Sequence, residues 1–130
     1  MKPTATLAAL VLATIAMTPT FAQRSPLPPP GPIEHITGNL YKIFGGGGNT
    51  LVFIQHNGVV LVDTKLPGNG RAILEQVRTV TDKPIITIIN THNHPDHVGS
   101  TDFFRETFPE VRVISQEKTK KWVEANKTYK

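Results

Sequence analysis

Apolar residues recur along this chain with a spacing that changes several times, and each change marks an element. Leu7 to Met17 is one apolar run rich in Ala, Leu, Val and Ile. After a proline-rich stretch the pattern shortens. Ile33–Ile36 and Asn39–Phe44 predict two short strands around Gly38. Gly45-Gly46-Gly47-Gly48 predicts an irregular loop, because consecutive glycines lose too much freedom inside a regular element. Thr50 to Gln55 reads as a β-branched strand, Asn57-Gly58 as a two-residue hairpin turn, and Val59 to Val62 as the partner strand, stopping at Asp63-Thr64. Both strands are nearly continuous in apolar residues, which predicts cover on both faces of their sheet.

Beyond Leu66-Pro67-Gly68 the period becomes helical. Asn69 is placed to cap a helix running to about Val80, with Ile73, Leu74, Val77 and Val80 on one stripe. Asp82-Lys83-Pro84 reads as a turn, Ile85 to Asn90 as a buried strand, and Thr91 to Gly99 as a loop. Ser100 can cap a further helix with Asp102 in its first turn. Pro109 ends that region and Val111 to Ile114 is another strand. Ser115 opens a last helix to about Ala125, with Glu117–Lys121 and Lys120–Glu124 at i,i+4 spacing. Strands alternating with helices make the fold class α/β.

Composition narrows the function. The chain has 130 residues, enough for one small domain. At 38% hydrophobic and 18% charged it is too apolar for a disordered tail. It has no Cys, which excludes disulfides, a cysteine-based zinc finger and a cysteine nucleophile. Any metal must therefore be held by carboxylates and by some of 5 His. The net charge of +4 owes much to Lys118, Lys120, Lys121, Lys127 and Lys130. The glutamates among them make a solvated helix face, and with no aromatic stacking platform no nucleic-acid partner is expected.

The two ends of the apolar pattern suggest an address. Met1-Lys2, the Leu7–Met17 run, Pro19 and the small residues Thr20 and Ala22 predict a signal peptide over 1–22, cleaved after Ala22. The run falls short of the roughly 20 residues that span a bilayer, so no stable membrane anchor is expected. The expected location is periplasmic or secreted. Gln23 to Pro32 reads as an extended, unpacked proline-rich linker, preferred over an SH3-type ligand, with the folded domain over 33–130.

The chemistry concentrates in Thr91-His92-Asn93-His94-Pro95-Asp96-His97-Val98-Gly99. Three imidazoles and a carboxylate follow a hydrophobic strand directly. In extended chain, residues two apart point the same way, so His92 and His94 can converge on one ion. Pro95 bends the chain and leaves Asp96 and His97 free to face a second. Imidazole and carboxylate suit Zn²⁺, and less selectively Fe or Mn. His35 and His56 read as surface histidines. The glycine run lacks the Lys-Ser/Thr of a phosphate cradle.

His92-x-His94-x-Asp96-His97 followed by Gly99 resembles the signature of the metallo-β-lactamase fold superfamily. The hairpin ending in Val62-Asp63-Thr64 and the Ile85–Asn90 strand leading into Thr91-His92 fit the same pattern, so the resemblance covers Ile33 to about Ala125. It implies an αββα sandwich of which this chain carries the N-terminal half. It implies that His92 and His94 bind a first metal and Asp96 and His97 a second, one or two Zn²⁺ in all. Asp63 would orient the ligands from beneath, and the Gly45–Gly48 loop would lie near the rim. The implied enzyme is a metallo-hydrolase whose metal-bound hydroxide attacks an amide, ester, lactone or thioester of a small-molecule substrate. Asp96 would also pass a proton to the leaving group. The family's full site takes a further His, an Asp and a last His from its second half, and no His follows His97. The alternative is a non-catalytic half-domain that binds metal weakly or not at all. A half-domain should expose apolar surface.

Overall fold

Six strands lie in one sheet in chain order. The computed structural model describes residues 29–126. Strands β1 (Pro30–Thr37), β2 (Leu40–Gly45), β3 (Thr50–Ile54) and β4 (Val59–Val62) form an antiparallel meander. β5 (Ile85–Asn90) and β6 (Arg112–Ser115) then join in parallel. A parallel neighbour needs a crossover. Helix α1 (Gly70–Arg78) supplies the first, and α2 (Pro95–Val98) with α3 (Thr101–Thr107) the second. Helix α4 (Glu117–Ala125) follows β6.

The core lies on one face of the sheet. Ile43, Val52, Val59, Leu61, Ile85 and Ile88 pack with Ile73 and Val77 of α1 and Phe104 of α3. Val80, expected on the same stripe, lies past the end of α1 and is exposed. The alternate side chains point the other way. Cross-strand pairing aligns Lys42, Leu51, Val62, Ile89 and Ile114 in one row and Leu40, Phe53, Val60 and Thr87 in another. Phe53 is 41% exposed and Ile114 43%. The expectation of cover on both faces is therefore corrected for the described residues: α1 and α3 occupy only one side. The expected exposed apolar surface is present.

Three smaller expectations also shift. The strand pairing starts at Pro30, opposite Gly45, so the linker does not run unpacked to Pro32. An edge strand tolerates proline, and a register shift before Ile33 absorbs the missing donors. The hairpin turn spans residues 55–58, closed by Gln55 N–H donating to Gly58 carbonyl at 2.8 Å, and neither Asn57 nor Gly58 has positive φ. Gly58 is required for space: a Cβ there would lie 2.5 Å from Ile86 Cγ2. The last helix is capped by Gln116, whose side chain accepts from Lys118 and Thr119 N–H, and not by Ser115. Its Lys121–Glu117 pair closes to 2.6 Å. The expected signal peptide lies outside the described residues. Among the described residues no helix is long and apolar enough to cross a membrane.

Candidate metal centre

Parallel pairing of β4 and β5, with Val62 opposite Ile89, delivers two chain ends to the same edge of the sheet. Asp63 leaves one and Thr91-His92 the other. Asp63 N–H donates to Ile89 carbonyl at 2.9 Å, then φ of 62° turns the chain sharply. Its side chain is nearly buried. The carboxylate accepts from Thr91 N–H at 2.8 Å, from Thr91 hydroxyl at 2.7 Å and from His97 Nδ1 at 2.7 Å. Asp63 thus contacts His97 directly and reaches His92 through Thr91.

Those bonds fix two tautomers. A carboxylate only accepts, so His97 carries its proton on Nδ1 and Thr91 spends its own on Asp63. Thr91 Oγ1 then accepts from His92 Nδ1, 3.0 Å away. In the neutral form of both rings, Nε2 is then the nitrogen that carries the lone pair. Thr91 was not singled out from the sequence. A threonine at a strand end is unremarkable until its two neighbours in space are known.

The nine-residue segment is not all loop. Pro95 to Val98 form one helical turn, with His97 and Val98 N–H groups donating to His94 carbonyl at 2.9 and 3.1 Å. Proline suits the first helical position, since its φ is preset and no donor is lost there. His94 before it is extended, with ψ of 145°. The His92 and His94 rings approach to 4.6 Å and the His92 and His97 rings to 4.0 Å. His97 Nε2 stands 3.4 Å from Asp96 Oδ2. His92, His94, Asp96 and His97 therefore share one cluster, whereas His35 and His56 are exposed elsewhere.

The glycine loop forms the rim. Gly48 N–H donates to Asp96 carbonyl at 3.2 Å. A Cβ on Gly48 would lie 2.5 Å from that oxygen and 3.3 Å from His97 Nε2. Beneath the loop lies Lys65, 0% exposed, whose Nζ donates to the carbonyls of Ile43, Gly45 and Gly48 at 2.7 Å each. Burial pushes its pKa down from 10.5 to about 8. Asn69 and Ser100 stand at helix N-termini, yet neither side chain caps its helix. Asn69 donates to Gly46 and Leu66 carbonyls, and Ser100 to Leu66 carbonyl. Both fasten the rim.

Among the described residues no three His, Asp or Glu side chains form a group set to hold a metal ion as they stand. The donor chemistry nonetheless fits one. His97 Nε2 and Asp96 Oδ2 stand 3.4 Å apart, a separation that suits two donors on one cation. Two donors about 2.1 Å from one tetrahedral ion stand about 3.4 Å apart. Clefts of about 860 and 580 Å³ flank α3, and neither is lined by His92, His94 or His97. The cluster lies beyond the C-terminal ends of β4 and β5.

A family model described as "Metallo-beta-lactamase superfamily" matches residues 43–127. The chain is 39% identical over 70 residues to an uncharacterized protein, YobT, of Bacillus subtilis (strain 168), covering 54% of this chain and 30% of that protein. It is 34% identical over 87 residues to a probable metallo-hydrolase of Streptococcus pyogenes serotype M6, covering 65% and 36%. It superimposes on BJP-1, a subclass B3 metallo-β-lactamase of Bradyrhizobium japonicum, with a TM-score of 0.68 at 24% identity, covering 75% of this chain and 38% of that one. The chain spans about a third of the length of these two curated relatives.

Proposed function

Because the chain belongs to the metallo-β-lactamase superfamily, we propose that it carries the metal-binding part of a hydrolase acting on an amide, ester, lactone or thioester. The observation that carries this reading is the Asp63 carboxylate, which sets His97 directly and His92 through Thr91. A polar surface loop has no need of a buried carboxylate that selects tautomers. Metal-binding histidines do, because the second ring nitrogen must be tied down.

His92, His94, Asp96 and His97 would hold the metal. When bound, one or two ions of the zinc class supply a Lewis acid and activate water near neutral pH. Asp63 holds the Nδ1 side of His97 directly and of His92 through Thr91, which orients both rings with Nε2 turned away from it. Asp96, partly exposed beside His97, can hold a proton at Oδ2 and deliver it to a departing group. Gly48 leaves room for Asp96 and His97 to meet. Export to the periplasm belongs to this proposal through the leader expected over 1–22.

A second reading, the non-catalytic half-domain, is favoured by the uncovered apolar face at Phe53 and Ile114. One experiment separates the two. The full 130-residue chain is loaded with zinc, analysed for metal content, and assayed against a β-lactam, a lactone and a thioester. The proposal expects bound zinc that is lost in His92→Ala and Asp96→Ala, with metal-dependent turnover of at least one substrate. Zinc bound without turnover supports the second reading. A chain that retains no zinc, iron or manganese refutes the hydrolase proposal and leaves the half-domain that binds no metal.

A further inference from the structure

We propose that Lys65 is a positioning residue for the metal centre: its ammonium gathers the carbonyls of Ile43, Gly45 and Gly48 into a clamp that seats the glycine loop against Asp96 and His97. The inference rests on the function proposed above and adds a residue to its machinery.

Lysine is almost never wholly buried without a partner. Lys65 is, at 0% exposure, and its three N–H donors meet three acceptors at 2.7 Å. The ammonium is fully satisfied with no carboxylate involved. Its backbone φ of 62° lies in the left-handed region, where glycine would sit without strain. A lysine held there in spite of that preference is held for its side chain.

The clamped segment needs such a device. Gly45, Gly46 and Gly47 all have positive φ. A glycine run has little conformational preference of its own and would sample many shapes. Its carbonyls are turned inward instead: Gly45 and Gly48 to Lys65, and Gly46 to Leu66 N–H and Asn69 Nδ2. Gly48 is the residue that transmits the effect. Its carbonyl meets Lys65 while its N–H meets Asp96. The space beside its Cα is filled by His97 to within 3.3 Å of where a Cβ would stand. A displaced loop would lose the Gly48–Asp96 hydrogen bond or press on His97.

The test compares wild type with Lys65→Met, which keeps the aliphatic stem and removes the ammonium, in the full chain. A core control, Val77→Ala, destabilises the fold at a buried residue of α1 outside the clamp. Amide hydrogen exchange is read first, without metal. Lys65→Met should lose protection at Gly48 N–H at least tenfold while Ile73 N–H, which donates to Asn69 carbonyl in α1, keeps its own. Val77→Ala should show the reverse. Cobalt(II) titration is read second: Lys65→Met should bind at least tenfold more weakly with a changed visible spectrum, and Val77→Ala should keep the wild-type spectrum. Lys65→Gly, freed of backbone strain, should show the same loss of Gly48 protection and regain it with added n-butylammonium, which also covers the case of a Met variant that fails to fold. Unchanged Gly48 protection in both Lys65 variants overturns the clamp. Absence of any cobalt signal in the wild type overturns the metal reading instead, and leaves the exchange result to decide the clamp.

Discussion

Asp63 and His97 are 34 residues apart in sequence and joined by a 2.7 Å hydrogen bond from imidazole Nδ1 to carboxylate Oδ2. That bond turns the end of one strand into the orienting floor for a histidine on a separate helical turn. Asp63 has φ of 62°, a conformation asparagine also tolerates. Asp63→Asn therefore removes the charge without disturbing the backbone. Zinc affinity is expected to fall about 10- to 100-fold, measured by competition with a chromophoric chelator, while the unfolding curve changes little in shape.

Thr91 bridges that carboxylate to His92. Thr91→Val keeps the side-chain shape and deletes the bridge. His92 should then populate both neutral tautomers, visible in ¹⁵N chemical shifts of its ring. The stability loss should be about 1–3 kcal/mol, since the hydroxyl makes two hydrogen bonds, one of them to a carboxylate. Thr91→Ser should restore the wild-type pattern.

Gly48→Ala places a methyl 2.5 Å from Asp96 carbonyl oxygen. Backbone cannot yield there as a flexible side chain would. The expected cost is about 1–3 kcal/mol in denaturant unfolding, together with weaker metal binding. A neutral result would mean that the loop does not touch the site in solution.

Lys65 makes stability depend on pH in a known direction. Burial lowers its pKa from 10.5 to about 8 in the folded chain. Between those values the unfolded chain holds more protons than the folded one, so unfolding free energy rises with pH. The Lys65 contribution is therefore smallest below pH 8 and grows as pH climbs through the window to 10.5. Subtracting the Lys65→Met profile from the wild-type profile isolates this slope. An opposite slope in the difference would contradict it.

Much of the fold was legible because its signals are local. Ile73 and Val77 at helical spacing, Val59–Val62 as an apolar run, and Gly48 in a glycine stretch each carry their meaning in a few neighbours. The cluster of His92, His94, Asp96 and His97 was legible for the same reason. What escaped the sequence is long-range. Burial of Lys65 depends on carbonyls 17 to 22 residues away that converge only once the sheet is built. The linking role of Thr91 needs Asp63 beside it. Gly58 was rightly placed in the hairpin turn, but its reason, close contact with Ile86 without a positive φ, lies across the sheet. Cover on both faces was inferred from runs such as Leu51–Ile54, but a continuous apolar run does not say on which side the helices will sit.

The rows holding Phe53 and Ile114 bear on how the protein behaves at the bench. A broad greasy plane on a small body favours colloidal association, adsorption to plastic and capture by chaperones. The ceiling on working concentration should be set by this plane, so glycerol, mild detergent or dilution should raise the recoverable fraction before any substitution in the core does.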